Sequence, residues 1–472
     1  MRKAITAVFL SAALVATAQS RTTTAITNVT VIDVEAGREI PSQTVVITGD
    51  RIDSAGPAKG ARVPRGATTI DGTGKFLIPG LWDMHAHLFS NSGNNGADTH
   101  AWHYPLYVAT GVTGIRDMWT NLDEIPLVKQ WNADVAAGKL LGPRVMFTGP
   151  MINGNDGVLR NVMVVMTPDE ARRVVDTVKD GGGAAMKIHS RLPHDAYIAL
   201  LARARERQIP VVGHLPASVT VREAIAAGQH TIEHINNISD GCAGESAETE
   251  VMQLRERRPQ PPPGQVQQMI LDAYDQQRCE EMMRKLRDGA VWLVPTLVEA
   301  RIRLLAEPAR TMRDELKYVP KAERDDWGGP RPNAKGGGGD ALAQTRARVF
   351  QQSLKLVGLL QRFGVPVMTG TDVSNPWLVP GFTVHDELAL FVESGLTPAE
   401  ALRAATLAPA RFLGKADTLG TVAKGKLADL VLLDANPLAD IHNTLKIRAV
   451  VIGGRYVDRV RLDEVLAGLA RQ

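Results

Sequence analysis

His85 and His87 stand one residue apart in Asp83-Met84-His85-Ala86-His87, directly after the apolar stretch Leu77-Ile78-Pro79-Gly80-Leu81-Trp82. If that stretch is a strand, side chains two apart share a face, and two imidazoles can meet one cation. Other metal-binding side chains close other apolar runs. His214 follows Val211-Val212-Gly213, His234 follows Thr231-Ile232-Glu233, and Asp372 follows Met368-Thr369-Gly370-Thr371. Lys187 interrupts Ala184-Ala185-Met186-Lys187-Ile188. A single histidine at a strand end is usually a satisfied core residue. Four histidines, a lysine and an aspartate at the ends of five strands are hard to explain by packing, and imidazole with carboxylate suits Zn2+ and related divalent ions. For Lys187 two readings stand. Its ammonium could snorkel to the strand end. Alternatively, burial lowers its pKa, and the neutral amine takes up CO2 as a metal-bridging carbamate.

Such a cluster needs parallel strands that end at one rim. Between residues 76 and 417 the chain alternates short apolar runs with amphipathic stretches such as 168–180, 195–207 and 221–227. Eight runs occur, at 81–84, 112–116, 145–148, 185–188, 211–213, 231–233, 291–295 and 365–369. This α/β pattern predicts a (β/α)8 TIM barrel, whose functional residues sit at the C-terminal ends of its strands. An open, doubly wound sheet is the alternative. Segments near 240–287 and 304–344 read as loop insertions overhanging that rim. Residues 19–75 and 418–472 are strand-like and broken by Gly and Pro, and predict one composite β-sandwich domain formed from both chain ends.

Arg2 and Lys3, the apolar run from Ile5 to Val15, and Ala16-Thr17-Ala18 form the three parts of a signal peptide, residues 1–18. The chain is therefore expected to be exported, periplasmic or secreted. In an oxidising compartment Cys242 and Cys279, the two cysteines of the sequence, could form a disulfide. The composition, 44% apolar and 22% charged, is that of a protein with a substantial core. A net charge of +3 without Lys/Arg blocks gives no electrostatic case for nucleic acid, and no other run is long enough to span a membrane.

The segment Phe76-Leu77-Ile78-Pro79-Gly80-Leu81-Trp82-Asp83-Met84-His85-Ala86-His87 resembles the first-strand motif of the amidohydrolase superfamily. Gly420-Thr421-Val422-Ala423-Lys424-Gly425-Lys426-Leu427-Ala428-Asp429-Leu430-Val431 is similar to its returning C-terminal motif. The nearest branch is the imidazolonepropionase-related one with a carboxylated lysine, which includes Xaa-Pro dipeptidases and ochratoxin amidases. The resemblance implies two divalent ions, Zn2+ expected. His85, His87 and Asp372 would hold the first and His214 and His234 the second, with carboxylated Lys187 and a hydroxide between them. It also implies that Asp372 shuttles the proton. His189, two residues after Lys187, and His385, at the start of the helical stretch after the eighth strand, are candidate substrate contacts. Family members often carry His or Tyr two residues after the fifth-strand histidine, where this chain has Pro216. Pro216 offers no side-chain hydrogen bond, so substrate recognition must come from elsewhere. The expected activity is hydrolysis of amide or peptide bonds in a small molecule, such as a dipeptide or N-acyl amino acid, by an enzyme that could be a homo-oligomer. Lactones, cyclic amides and phosphoesters are the alternative substrates, and a non-catalytic binding protein is the rival class.

Overall fold

A computed structural model describes residues 22–89, 101–157, 159, 161–257, 261–262, 264–305, 313–327 and 339–471. The expected signal peptide, residues 1–18, lies outside the described residues, as do parts of both insertions.

Both chain ends enter one hydrogen-bonded sheet of eight strands. Its centre is Phe76–Pro79, which runs parallel to Thr23–Asp33 on one side and antiparallel to Leu430–Leu433 on the other. Arg38–Thr48 and Arg51–Pro57 extend the first side, and Ile447–Ile452 and Arg455–Asp458 the second. Alternation along these strands decides which core each side chain joins. Ile78, Val431, Val450 and Ile452 join the large core shared with the middle of the chain. Leu77, Leu430, Leu432, Ala449 and Val451 close a second core with Ile26, Val45 and Ile47. Phe76–Pro79 therefore belongs to the terminal sheet, and Gly80 separates it from the strand Leu81–Ala86 that carries His85.

The middle of the chain is a mixed α/β fold. Leu81–Ala86, Val112–Asp117 and Arg144–Phe147 pair in parallel. So do Met151–Asn153, Met186–Ile188 and Val211–Gly213, and so do Thr231–Glu233 and Trp292–Val294. Further backbone bonds link these groups. Ala184 N–H donates to Thr148 O at 2.7 Å, His230 N–H to Val211 O at 2.8 Å, Met368 N–H to Leu293 O at 2.9 Å, and Met84 N–H to Thr369 O at 2.8 Å. The strand pieces are only three to six residues long and, apart from Arg144–Phe147, wholly or largely buried, as expected for parallel strands covered by helices. The helices are started by local chemistry. Thr167 and Glu170 form a capping box at Pro168–Asp180, and Thr220 and Glu223 another at Val221–Ala227.

The insertion at 240–287 carries three helices, Glu245–Glu256, Gln265–Asp272 and Gln276–Asp288. Cys242 and Cys279 are joined in a disulfide across its base, and both are fully buried. Its ends are 37 positions apart, and closing this loop restricts the unfolded chain and contributes about 4 kcal/mol. Denaturant unfolding with and without reductant should differ by about that amount, and an unchanged midpoint would show that the bond adds nothing. Among the described residues no helix is long and apolar enough to cross a membrane.

Candidate active site

The strand Leu81–Ala86 delivers His85 into full burial, with His87 just beyond its end. The segment 369–373 lies against it so closely that a Cβ on Gly370 would sit 2.8 Å from the His85 Cβ, which requires glycine there. Asp83 fixes this approach. Its Oδ1 accepts from the Thr371 amide at 3.0 Å and its Oδ2 from the Thr371 hydroxyl at 2.6 Å. Burial pushes the Asp83 carboxyl up to about 6 against those bonds. Asp372 Oδ1 is thereby held 3.2 Å from His85 Nε2 and 3.0 Å from His87 Nε2. One ligand atom from each of the three residues lies within 4.8 Å of the others.

His214 and His234 form a second pair, with Nε2 atoms 3.1 Å apart. Their Nδ1 atoms are engaged behind them, His214 with Ser190 Oγ at 2.8 Å and His234 with Thr296 Oγ1 at 2.7 Å. The His85 and His234 ring centroids are 4.9 Å apart, so the two groups are contiguous. His234, Thr296 and Asp372 all have left-handed backbone, with φ of 67°, 47° and 65°. For Thr296, which is β-branched, this conformation is strained, and such residues collect at functional sites.

Electrostatics divide the imidazoles. Burial pushes His87 down to about 4 and His234 and His189 down to about 3, and holds His214 well below the usual range. In His85, burial and the Lys187 charge push the pKa down, but Asp372 and Glu233 outweigh them and raise it. Burial alone would raise the Asp372 carboxyl. The charge on His85, with the bonds to His85 and His87, holds it well below the carboxylate range. Lys187 is fully buried, its Nζ has no hydrogen-bond partner, and burial lowers it to about 8. Its charge acts on His85, His87, His214 and His234, so it belongs to the same cluster.

These residues fit divalent cations. The Glu233 carboxylate accepts from His85 Nδ1 at 2.9 Å, so a neutral His85 turns its Nε2 lone pair toward Asp372 Oδ1. Two electron-rich atoms facing each other need a proton or a cation between them. When His214 and His234 carry their protons on Nδ1, toward Ser190 and Thr296, their Nε2 lone pairs meet in the same way. A buried amine with no acceptor is costly as an ammonium, and a neutral amine is the form that reacts with CO2.

Sequence reading missed the groups that orient these ligands. Arg116 Nη2 donates to Glu233 Oε1 at 2.8 Å and Nε to Met84 O at 2.7 Å, so a buried ion pair stands behind His85. The available signal was a charged residue inside each of two short apolar strands, Arg116 in Val112–Asp117 and Glu233 in Thr231–Glu233. His189 lies beside the cluster, its ring centroid 4.1 Å from that of His214 and its Nδ1 buried without a hydrogen bond. His385 needs a correction, because it is not at the cluster. Its Nδ1 lies 2.8 Å from Thr444 Oγ1 and its Nε2 2.8 Å from Thr110 O. Both ring nitrogens are used, one tying the helix Phe382–Glu393 to the C-terminal segment and the other to Thr110, leaving none for a substrate.

Residues 76–457 match the model of the amidohydrolase family, most of the chain's length. The chain belongs to the amidohydrolase family. Ochratoxinase of Aspergillus niger is 36% identical over 103 residues, which is 21% of this amidohydrolase and 19% of that relative. The amidohydrolase spans only 14% to 23% of the length of several curated relatives it matches. Among solved structures, bottromycin amidohydrolase is 22% identical with a TM-score of 0.71, covering 95% of this chain and 90% of that one. A Xaa-Pro dipeptidase with methionine bound in its active site is 19% identical with a TM-score of 0.65, covering 93% and 100%. At these identities the likeness of structures carries the fold.

Proposed function

We propose that this amidohydrolase cleaves the amide bond of a dipeptide or N-acyl amino acid with two divalent cations, most suitably Zn2+, at the rim of a (β/α)8 barrel. The carrying observation is that four imidazoles, Asp372 and a buried Lys187 without a hydrogen-bond partner meet in one place. The barrel reading rests on the backbone bonds that link successive parallel strands through to Thr369 and back to Met84. The terminal sheet, with its second core, acts as the small domain beside it.

Bound divalent cations lower the pKa of water from about 15.7 towards about 7 and polarise a carbonyl. The chain's own residues do the rest. His85, His87 and Asp372 would hold the first cation and His214 and His234 the second, and Lys187, once carboxylated by CO2, would supply a further carboxylate oxygen to them. Asp372 accepts the proton of the attacking water at its carboxylate and passes it to the departing nitrogen, which an amine needs in order to leave. Asn375 Nδ2 donates to Asp372 Oδ2 at 2.7 Å and keeps the carboxylate oriented for that transfer. The Glu233–Arg116 pair, Ser190 and Thr296 fix the imidazole orientations, as outer partners of metal-binding histidines do. Amide chemistry is favoured because bottromycin amidohydrolase and a Xaa-Pro dipeptidase share the fold. The enzyme works after export, on a small soluble substrate.

The test is metal analysis of the purified protein, followed by assay of the metal-replete form on dipeptides, N-acyl amino acids and lactones. About two ions per chain and release of free amine are the expected results. Two ions with lactone cleavage alone would overturn the amide assignment, and a protein that takes up no metal would overturn the whole.

A further inference from the structure

We infer that Glu387, remote from His234 in sequence, is a positioning residue for the second cation and acts on His234 through Thr296. This rests on the two-cation proposal above. Glu387 lies in the helix Phe382–Glu393 and is fully buried. Its two oxygens each accept one backbone amide, Leu297 N–H at 2.9 Å and Val298 N–H at 2.7 Å. These amides open the helix Leu297–Leu304, where the peptide dipoles favour a negative charge. The preceding residue is Thr296, whose side chain does not cap this helix. Its hydroxyl instead lies 2.7 Å from His234 Nδ1. The carboxylate thus takes over the capping work at this helix start, and the threonine hydroxyl is left for the imidazole.

The arrangement is costly twice. A carboxyl group is buried with both oxygens against backbone amides, and burial pushes it up to about 8 even against those two bonds. A β-branched residue is also held at φ 47°. An apolar residue at 387 would avoid the first cost, and a relaxed backbone at 296 the second, but neither would keep the Thr296 hydroxyl against His234. The two costs meet at one product, a fixed His234 ring. His85, His87 and Asp372 are tied by Asp83 and Glu233 instead, so the effect should be confined to the His214–His234 pair.

The experiment is titration of the metal-stripped full chain with Co2+, followed by absorbance and by competition with a chelator. In the wild type two binding steps are expected. Fewer than two would defeat the two-cation proposal itself, before any variant is considered. In Glu387→Gln, which turns one acceptor into a donor, the first step should be unchanged and the second weakened about 10- to 100-fold. Thr296→Val should do the same, and the double variant should be no worse than the more severe single one. A folded Glu387→Gln protein whose second step lies within twofold of wild type overturns the inference, and so does equal weakening of both steps. If Glu387→Gln does not fold, Glu387→Asp is read by the same criteria, since it keeps the carboxyl group but withdraws it by one methylene. Failure of both to fold would mark Glu387 as a residue of the fold at large and also overturn the assignment.

Discussion

Asp372→Asn should lower kcat by about 10²- to 10⁴-fold, or about 2.7 to 5.4 kcal/mol in the barrier. Asparagine retains the size and one oxygen of the side chain but cannot take up a proton. In the structure a single Asp372 oxygen faces both His85 and His87, and the other is held by Asn375. The carboxylate therefore stands where a proton released at the cation site would arrive. Metal content must be measured on the same sample. A fall in kcat with about two ions retained supports the proton shuttle. A fall that tracks lost metal assigns Asp372 a ligand's role alone, and kcat within tenfold of wild type removes it from proton transfer.

Lys187→Ala should lose metal and activity together, with turnover falling by about 10³-fold or more, because the cations supply the acidified water. The buried amine has no hydrogen-bond partner and sits among four imidazoles. Its electrostatic neighbours Glu233 and Asp372 do not hold it up, and burial brings it down to about 8. About a tenth of the amine is then neutral at pH 7, against less than about a thousandth at the ordinary lysine pKa, and that fraction can combine with CO2. Two measurements separate a carbamate from a plain lysine. Acetate or propionate should restore part of the metal binding of Lys187→Ala, by placing a carboxylate in the space left behind. Reconstitution of the wild type in CO2-free buffer should take up less metal than in bicarbonate. Full metal content in Lys187→Ala would exclude the lysine as a ligand.

The histidines, Lys187 and Asp372 were legible in the sequence because each ends or interrupts a short apolar run, where a polar residue is conspicuous. Their partners were not. Glu233 meets His85 from 148 positions away, Thr296 meets His234 from 62, and Thr371 meets Asp83 from 288. Nothing local marks such pairs, since closure of the fold alone brings them together. His385 misled for the opposite reason. A histidine at the start of a helix after the last strand stands where a substrate contact is expected, and only Thr110 and Thr444, neither near it in sequence, reveal its structural bonds. The strand-rich texture of both ends was readable, but their union in one sheet depends on pairing between Phe76–Pro79 and Leu430–Leu433.

That union sets an order of events during synthesis. Phe76–Pro79 is made soon after Thr23–Asp33, yet its other backbone edge stays open until the whole middle of the fold and then Leu430–Leu433 have been made. An open edge bearing Leu77 and Ile78 invites pairing with another nascent copy. A chain cut short before Leu430 keeps that edge bare and open to such pairing, even though every side chain of the candidate site has already been made.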